Sequence, residues 1–108
     1  NQNFSKALTT TIANSDASTY FAANASLVSA SGGILSLYVS LKTKVSLPAA
    51  KSTTLNFPIS TGKIYEFRTM DGNGKTWYCY VNNNVIQFNT SAAVPEGTWI
   101  RFLMTVPF

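Results

Sequence analysis

Between Gly33 and Leu47 the side chains alternate, with Leu35, Leu37, Val39 and Leu41 interleaved with Ser36, Tyr38, Ser40 and Lys42. A period of two belongs to an extended strand, because successive Cβ atoms point to opposite faces of a sheet. One apolar and one polar face means half-burial, which suits an antiparallel sheet better than a parallel one covered on both sides. Lys44 continues the polar face, where it and Lys42 serve as solvated charge or edge protection. Helix signals are nearly missing. Ala22 to Leu27 reads as one helical turn, but elsewhere Ser, Thr and Asn compete for backbone hydrogen bonds. Leu55, Phe57 and Ile59 alternate around Pro58, which marks an edge or a strand end. Thr9-Thr10-Thr11-Ile12 and Tyr20-Phe21 are weaker strand candidates.

The segment Lys63 to Asn89 reads as a three-stranded meander. Asp71-Gly72-Asn73-Gly74 is a four-residue turn signal and Asn82-Asn83-Asn84 a three-residue one. Closing the first turn pairs Arg68 with Trp77, Phe67 with Tyr78, Glu66 with Cys79 and Tyr65 with Tyr80. Closing the second pairs Trp77 with Asn89, Tyr78 with Phe88, Cys79 with Gln87 and Tyr80 with Ile86. The two registers agree on faces. Tyr65, Phe67, Tyr78, Tyr80, Ile86 and Phe88 share one, most simply the core, since aromatics bury large areas. Glu66, Arg68, Trp77, Gln87 and Asn89 share the other, with Cys79 and Val81 among them.

After a loop from Thr90 to Gly97, a last strand spans Thr98 to Val106, with Ile100, Phe102, Met104 and Val106 facing one way. Trp99, Arg101, Leu103 and Thr105 face the other. The expected strands are Gly33 to Leu47, Lys63 to Met70, Lys75 to Val81, Val85 to Asn89 and Thr98 to Val106, within an all-β antiparallel barrel or sandwich of about eight strands. No segment repeats and no linker divides the chain, so residues 1–108 form a single domain. The chain opens at Asn1 rather than Met, and the expectation is the C-terminal part of a longer chain.

Composition restricts the chemistry. Ser, Thr, Asn and Gln make up 37 of 108 residues, charged residues 11% and hydrophobic ones 45%. Such a chain builds one apolar core under a neutral surface of hydroxyls and amides. Without any His, neither a Ser-His-Asp relay nor a His-ligated zinc site is available. Cys79 stands alone and reads as a small buried apolar residue, leaving no intrachain disulfide. The carboxylates are Asp16, Glu66, Asp71 and Glu96, without the spacing of a glycosidase pair or a calcium loop. The expectation is therefore no enzyme and no cofactor or metal. A net charge of +4 reflects scarce acids, and no basic stripe interleaved with aromatics suggests nucleic acid. No apolar run approaches the ~20 residues of a membrane-spanning helix, so membrane insertion is not expected.

The polar meander face carries the candidate site. Trp77 is its stacking platform for the apolar face of a pyranose, and Arg68 its hydroxyl or anion anchor. Glu66, Gln87, Asn89 and the loop-tip residue Asp71 complete it by hydrogen bonding. The plainer alternative is a solvated sheet face with Trp77 under the Arg68 stem. Asp71 and Asn73 read as turn formers before they read as ligands. Trp99 with Arg101 is the competing site, or else packs against a loop or a second subunit.

The Gly33-to-Leu47 strand, the meander Gly62 to Asn89 and the terminal Gly97-Thr98-Trp99-Ile100-Arg101-Phe102 together resemble the head domain of receptor-binding proteins from lactococcal tailed phages. The resemblance covers most of the chain and lies in layout rather than in one motif. It implies a homotrimeric β-barrel head at the virion tail tip, outside the cell, joined to upstream tail or baseplate segments. It also implies adhesion to a host cell-wall saccharide, often phosphate-containing, through a pocket of Trp, Arg, Asp and His. Trp77 or Trp99, Arg68 or Arg101, and Asp71 match the first three, and no His matches the fourth. The trimer is expected to form through aliphatic faces such as Leu35, Leu37 and Val39, or through the exposed side of the last strand. The alternative function is a structural or protein-interaction β module of a phage baseplate or spike.

Overall fold

The computed structural model describes residues 4–7, 9–11 and 17–108. The strands are β1 (Phe4–Ala7), β2 (Thr9–Thr10), β3 (Phe21–Asn24), β4 (Leu27–Ser31), β5 (Ile34–Thr43), β6 (Thr53–Asn56), β7 (Ile64–Met70), β8 (Thr76–Asn82), β9 (Val85–Asn89) and β10 (Trp99–Pro107), with one helical turn, α1 (Ala17–Tyr20). They form two antiparallel five-stranded sheets. One runs β1-β4-β5-β10 with β3 also on β5, and the other runs β2-β6-β9-β8-β7.

The alternating strand read from the sequence is β5, the centre of the first sheet. It ends at Thr43 rather than Leu47, which makes an isolated bridge with Val94. Strands β3 and β4 share one edge of β5, pairing with Thr43–Leu41 and Tyr38–Ile34 respectively. The break between them is bonded rather than open. Ala25 N donates to Ser40 O at 2.8 Å, and Ser40 N donates to the buried Ser26 Oγ at 2.9 Å. The helical turn expected over Ala22–Leu27 is therefore replaced by extended chain, because pairing to β5 outweighs a weak local propensity. The helical turn lies earlier, at α1. Of the weaker candidates, Thr9–Thr10 forms β2 and Phe21 opens β3, whereas Ile12 lies outside the described residues. Strand β6 stops at Asn56, two residues short of Pro58.

Both sheets bury one face. Leu35, Leu37, Val39 and Leu41 of β5 and Ile100, Phe102, Met104 and Val106 of β10 meet Leu55 of β6, Trp77, Cys79 and Val81 of β8, and Ile86 and Phe88 of β9. Trp77 stacks on Phe102 with ring centroids 5.7 Å apart, and Phe88 stands edge-on to both at 5.7 and 5.3 Å. This cluster joins the sheets. The edges β7 and β10 approach one another, bridged by Tyr65 Oη donating to Pro107 O at 3.1 Å and Gly72 N donating to Arg101 O at 3.3 Å. No ladder runs between them among the described residues, so the fold is a sandwich rather than a closed barrel. Leu35, Leu37 and Val39 lie wholly inside, which removes them as a subunit interface; Leu103 on the outer side of β10 is 57% exposed.

The meander forms with a different register on its central strand. Arg68 pairs with Tyr78, Glu66 with Tyr80 and Phe67 with Cys79, while Tyr78 pairs with Asn89, Tyr80 with Gln87 and Cys79 with Phe88. Each register differs by one residue from the expected one, and the cause lies in the turns. Asp71 N donates to Lys75 O at 2.9 Å, so the first loop extends through Lys75. Asn82 pairs with Val85, which leaves Asn83 and Asn84 as the second loop, with Asn83 at φ 57°. Asn tolerates that left-handed conformation better than most residues. A one-residue shift turns every side chain of β8 over. Trp77, Cys79 and Val81 face the core, and Tyr78 and Tyr80 face solvent.

Candidate functional site

The outer face of the second sheet carries two cross-strand rows. In one, Tyr78 of β8 lies between Arg68 of β7 and Asn89 of β9; in the other, Tyr80 lies between Glu66 and Gln87. Directly opposed residues on one face stand close enough for their side chains to touch. Each row therefore places an aromatic ring between a charge and an amide. Together they line a shallow depression of about 600 Å³, with Ser52 at the β6 end. Four of the expected site residues, Glu66, Arg68, Gln87 and Asn89, are brought together here.

Tyr78 is 43% exposed, and the Arg68 guanidinium carbon lies 5.9 Å from its ring centroid. That is a cation–π contact at the long end of its range. Among the described residues, neither the Glu66 carboxylate nor the Arg68 guanidinium has a hydrogen-bond or ion-pair partner. Both side chains are exposed at the depression, so their bonding capacity is open to solvent there. Phenol, amide, guanidinium and carboxylate groups supply both donors and acceptors, the set a polyhydroxylated ligand needs.

Trp77 and Asp71 do not belong to this surface. Trp77 is fully buried, and its Nε1 donates to Asp71 Oδ2 at 2.8 Å. The other oxygen, Oδ1, accepts from Asn73 N and Lys75 N, both at 2.9 Å. Asp71 is thus the turn former, and Trp77 is a core anchor rather than a platform. The register shift instead brings Tyr78 and Tyr80, expected in the core, onto the outer face. One signal pointed to them. Trp77, Cys79 and Val81 are more apolar as a set than Tyr78 and Tyr80, whose hydroxyls are readily solvated.

Trp99 and Arg101 lie on the outer face of the first sheet, across the sandwich from the depression. The Arg101 guanidinium covers the half-buried Trp99 ring at 4.3 Å, and its Nε donates to Ser40 Oγ at 3.4 Å. Asn73 Nδ2 donates to Trp99 O at 3.3 Å, tying the Asp71–Lys75 loop to the start of β10. The ring is thus occupied within the chain.

Cys79 is buried, which pushes its thiol from the ordinary 9.0 up to about 12. It is neutral and shielded at physiological pH, the reverse of a reactive thiolate. Among the described residues, no three His, Cys, Asp or Glu side chains converge as metal ligands.

No protein-family model, curated protein or solved structure matches the chain.

Proposed function

We propose that the chain is a saccharide-binding adhesion head of a phage tail, which recognises a host cell-wall saccharide through the outer face of β6, β9, β8 and β7. The observation that carries this reading is the pair of rows Arg68–Tyr78–Asn89 and Glu66–Tyr80–Gln87. The tyrosine rings offer apolar area to a pyranose, and the flanking groups bond its hydroxyls. Arg68 suits a phosphate on the ligand, because a guanidinium grips two oxygens at once. A shallow site of this kind binds each sugar weakly. Three copies in a homotrimer at a virion tail tip convert weak binding into avidity on a repetitive wall polymer.

One observation also favours the alternative, a baseplate or spike module that binds protein. Leu27, Tyr38 and Leu103 lie in register across β4, β5 and β10 on the outer face of the first sheet, with Leu27 45% and Leu103 57% exposed. In the adhesion reading this apolar row is where the copies of the trimer meet. The test is a glycan array combined with whole-cell binding. Specific capture by a wall glycan, lost in Tyr78→Ala but retained in Leu103→Glu when that variant is displayed multivalently, supports the adhesion head. Binding to no glycan and no host cell favours the module.

A further inference from the structure

We infer that the depression selects a zwitterionic saccharide, with an anionic substituent over Arg68 and Tyr78 and a free, protonated amine over Glu66 and Tyr80. The inference rests on the reading of this face as saccharide-binding and specifies the ligand class. Glu66 and Arg68 are two positions apart on β7 and both point outward. Their Cα atoms are therefore separated by roughly 6.8 Å along the strand, about the reach of one sugar ring and its substituents. Opposite charges so close commonly neutralise one another. Here they do not: the guanidinium leans on Tyr78, and Glu66 has no charged partner among the described residues. The outer face thus carries one positive and one negative row, each built on its own tyrosine.

That arrangement discriminates. A neutral glycan displaces water from both charges and returns no counter-charge to either. A purely anionic glycan is satisfied at Arg68 and repelled at Glu66. Glu66 is one of only four carboxylates in a chain of net charge +4, and it sits within the depression itself. The overall charge attracts an anionic polymer from a distance, and the local carboxylate rejects those without an amine in register. The direction of the ligand follows as well, with its anion towards the Met70 and Thr76 end of the hairpin and its amine towards Ile64 and Asn82.

The test uses four synthetic disaccharides: one with a phosphate and a free amino sugar, its N-acetylated form, and the dephosphorylated form of each. Titration calorimetry of the intact chain is expected to give the zwitterion about tenfold tighter binding than either singly modified form. In Glu66→Gln the preference for the free amine disappears while that for phosphate remains, and in Arg68→Gln the reverse holds. Equal affinity for the amine and its N-acetylated form, or an amine preference that survives Glu66→Gln, overturns the inference and leaves saccharide binding standing. Binding of none of the four, by a chain whose circular dichroism shows it folded, overturns both.

Discussion

Trp77 Nε1 donates to Asp71 Oδ2 at 2.8 Å, and both side chains are buried. The bond couples a turn to the core. Asp71 also receives the part-buried Asn73 and Lys75 amides, so one carboxylate satisfies the buried indole donor and holds the turn. An unsatisfied buried donor is more expensive than a hydrogen bond is valuable. Asp71→Ala is therefore expected to destabilise the fold by about 3 kcal/mol in urea denaturation. Asp71→Asn keeps the shape but turns an amide donor towards either the indole or the backbone N–H groups. It is expected to be destabilising too, by roughly 1–2 kcal/mol. Full stability in both variants contradicts the coupling.

Neighbouring aromatics on β8 have opposite assignments. Trp77→Ala removes the ring that stacks on Phe102 and meets Phe88, and such truncations cost roughly 3–5 kcal/mol. Tyr78→Ala removes a solvent-facing ring and is expected to change stability by no more than about 0.5 kcal/mol. In saccharide binding the order reverses: Tyr78→Ala weakens the bound state by roughly 1–3 kcal/mol, by analogy with base–aromatic stacking. Chemical denaturation and titration on the same two variants check both halves.

The meander shows how much the sequence discloses and where it stops. Alternation alone identified β5, β7, β9 and β10 and the inward rows Leu35–Leu41 and Ile100–Val106. The relation of β7 to β9 was also legible, since Glu66 still aligns with Gln87 and Arg68 with Asn89 across β8. The central strand, expected over Lys75 to Val81, is β8, but its facing was not legible, because the two turns err in opposite senses. The first loop is one residue longer than its Gly-rich signature and the second one shorter than its Asn run, so the two slips cancel between the outer strands. Agreement of faces on β7 and β9 was blind to an inverted β8. The length of the first loop depends on Asp71 reaching Lys75 and the buried Trp77, a tertiary choice that no local turn pattern records. Strand β4 was missed for a different reason: Ser29, Ala30 and Ser31 carry little strand propensity, and pairing on β5 supplies the rest.

Cys79 gives a prediction in pH. Its thiol is held at about 12 in the folded chain against an ordinary 9.0, so above pH 9 the unfolded chain loses a proton that the folded one retains. The folded state then binds more protons, and unfolding becomes easier as pH rises from about 9 towards 12. Below pH 9 the contribution is fully present. The stability difference between the wild type and Cys79→Ala, followed from pH 8 to pH 10.5, is expected to shift against the wild type as the solution becomes more alkaline. A thiol reagent at pH 8 is expected to react with Cys79 only in denaturant. Rapid labelling of the native chain contradicts the burial.

The apolar row on the first sheet bears on assembly. Leu27, Tyr38 and Leu103 are aligned on three adjacent strands, and an aligned row is more demanding of cover than scattered exposed leucines. Leu35, Leu37 and Val39 are used up inside the sandwich, and this outer row is the aliphatic surface we propose for a trimer. Light scattering at micromolar concentration is expected to give three times the 11.7 kDa chain mass. Leu103→Glu places a carboxylate at the β10 end of the row without touching the core, since Leu103 points away from Phe102 and Met104. The variant is expected to be monomeric with an unchanged β-sheet spectrum, and its loss of cell binding is expected to be recovered when three copies are joined by a fused trimeric coiled coil. A wild type that scatters as a monomer removes the trimer, and a trimeric Leu103→Glu moves the interface off this face.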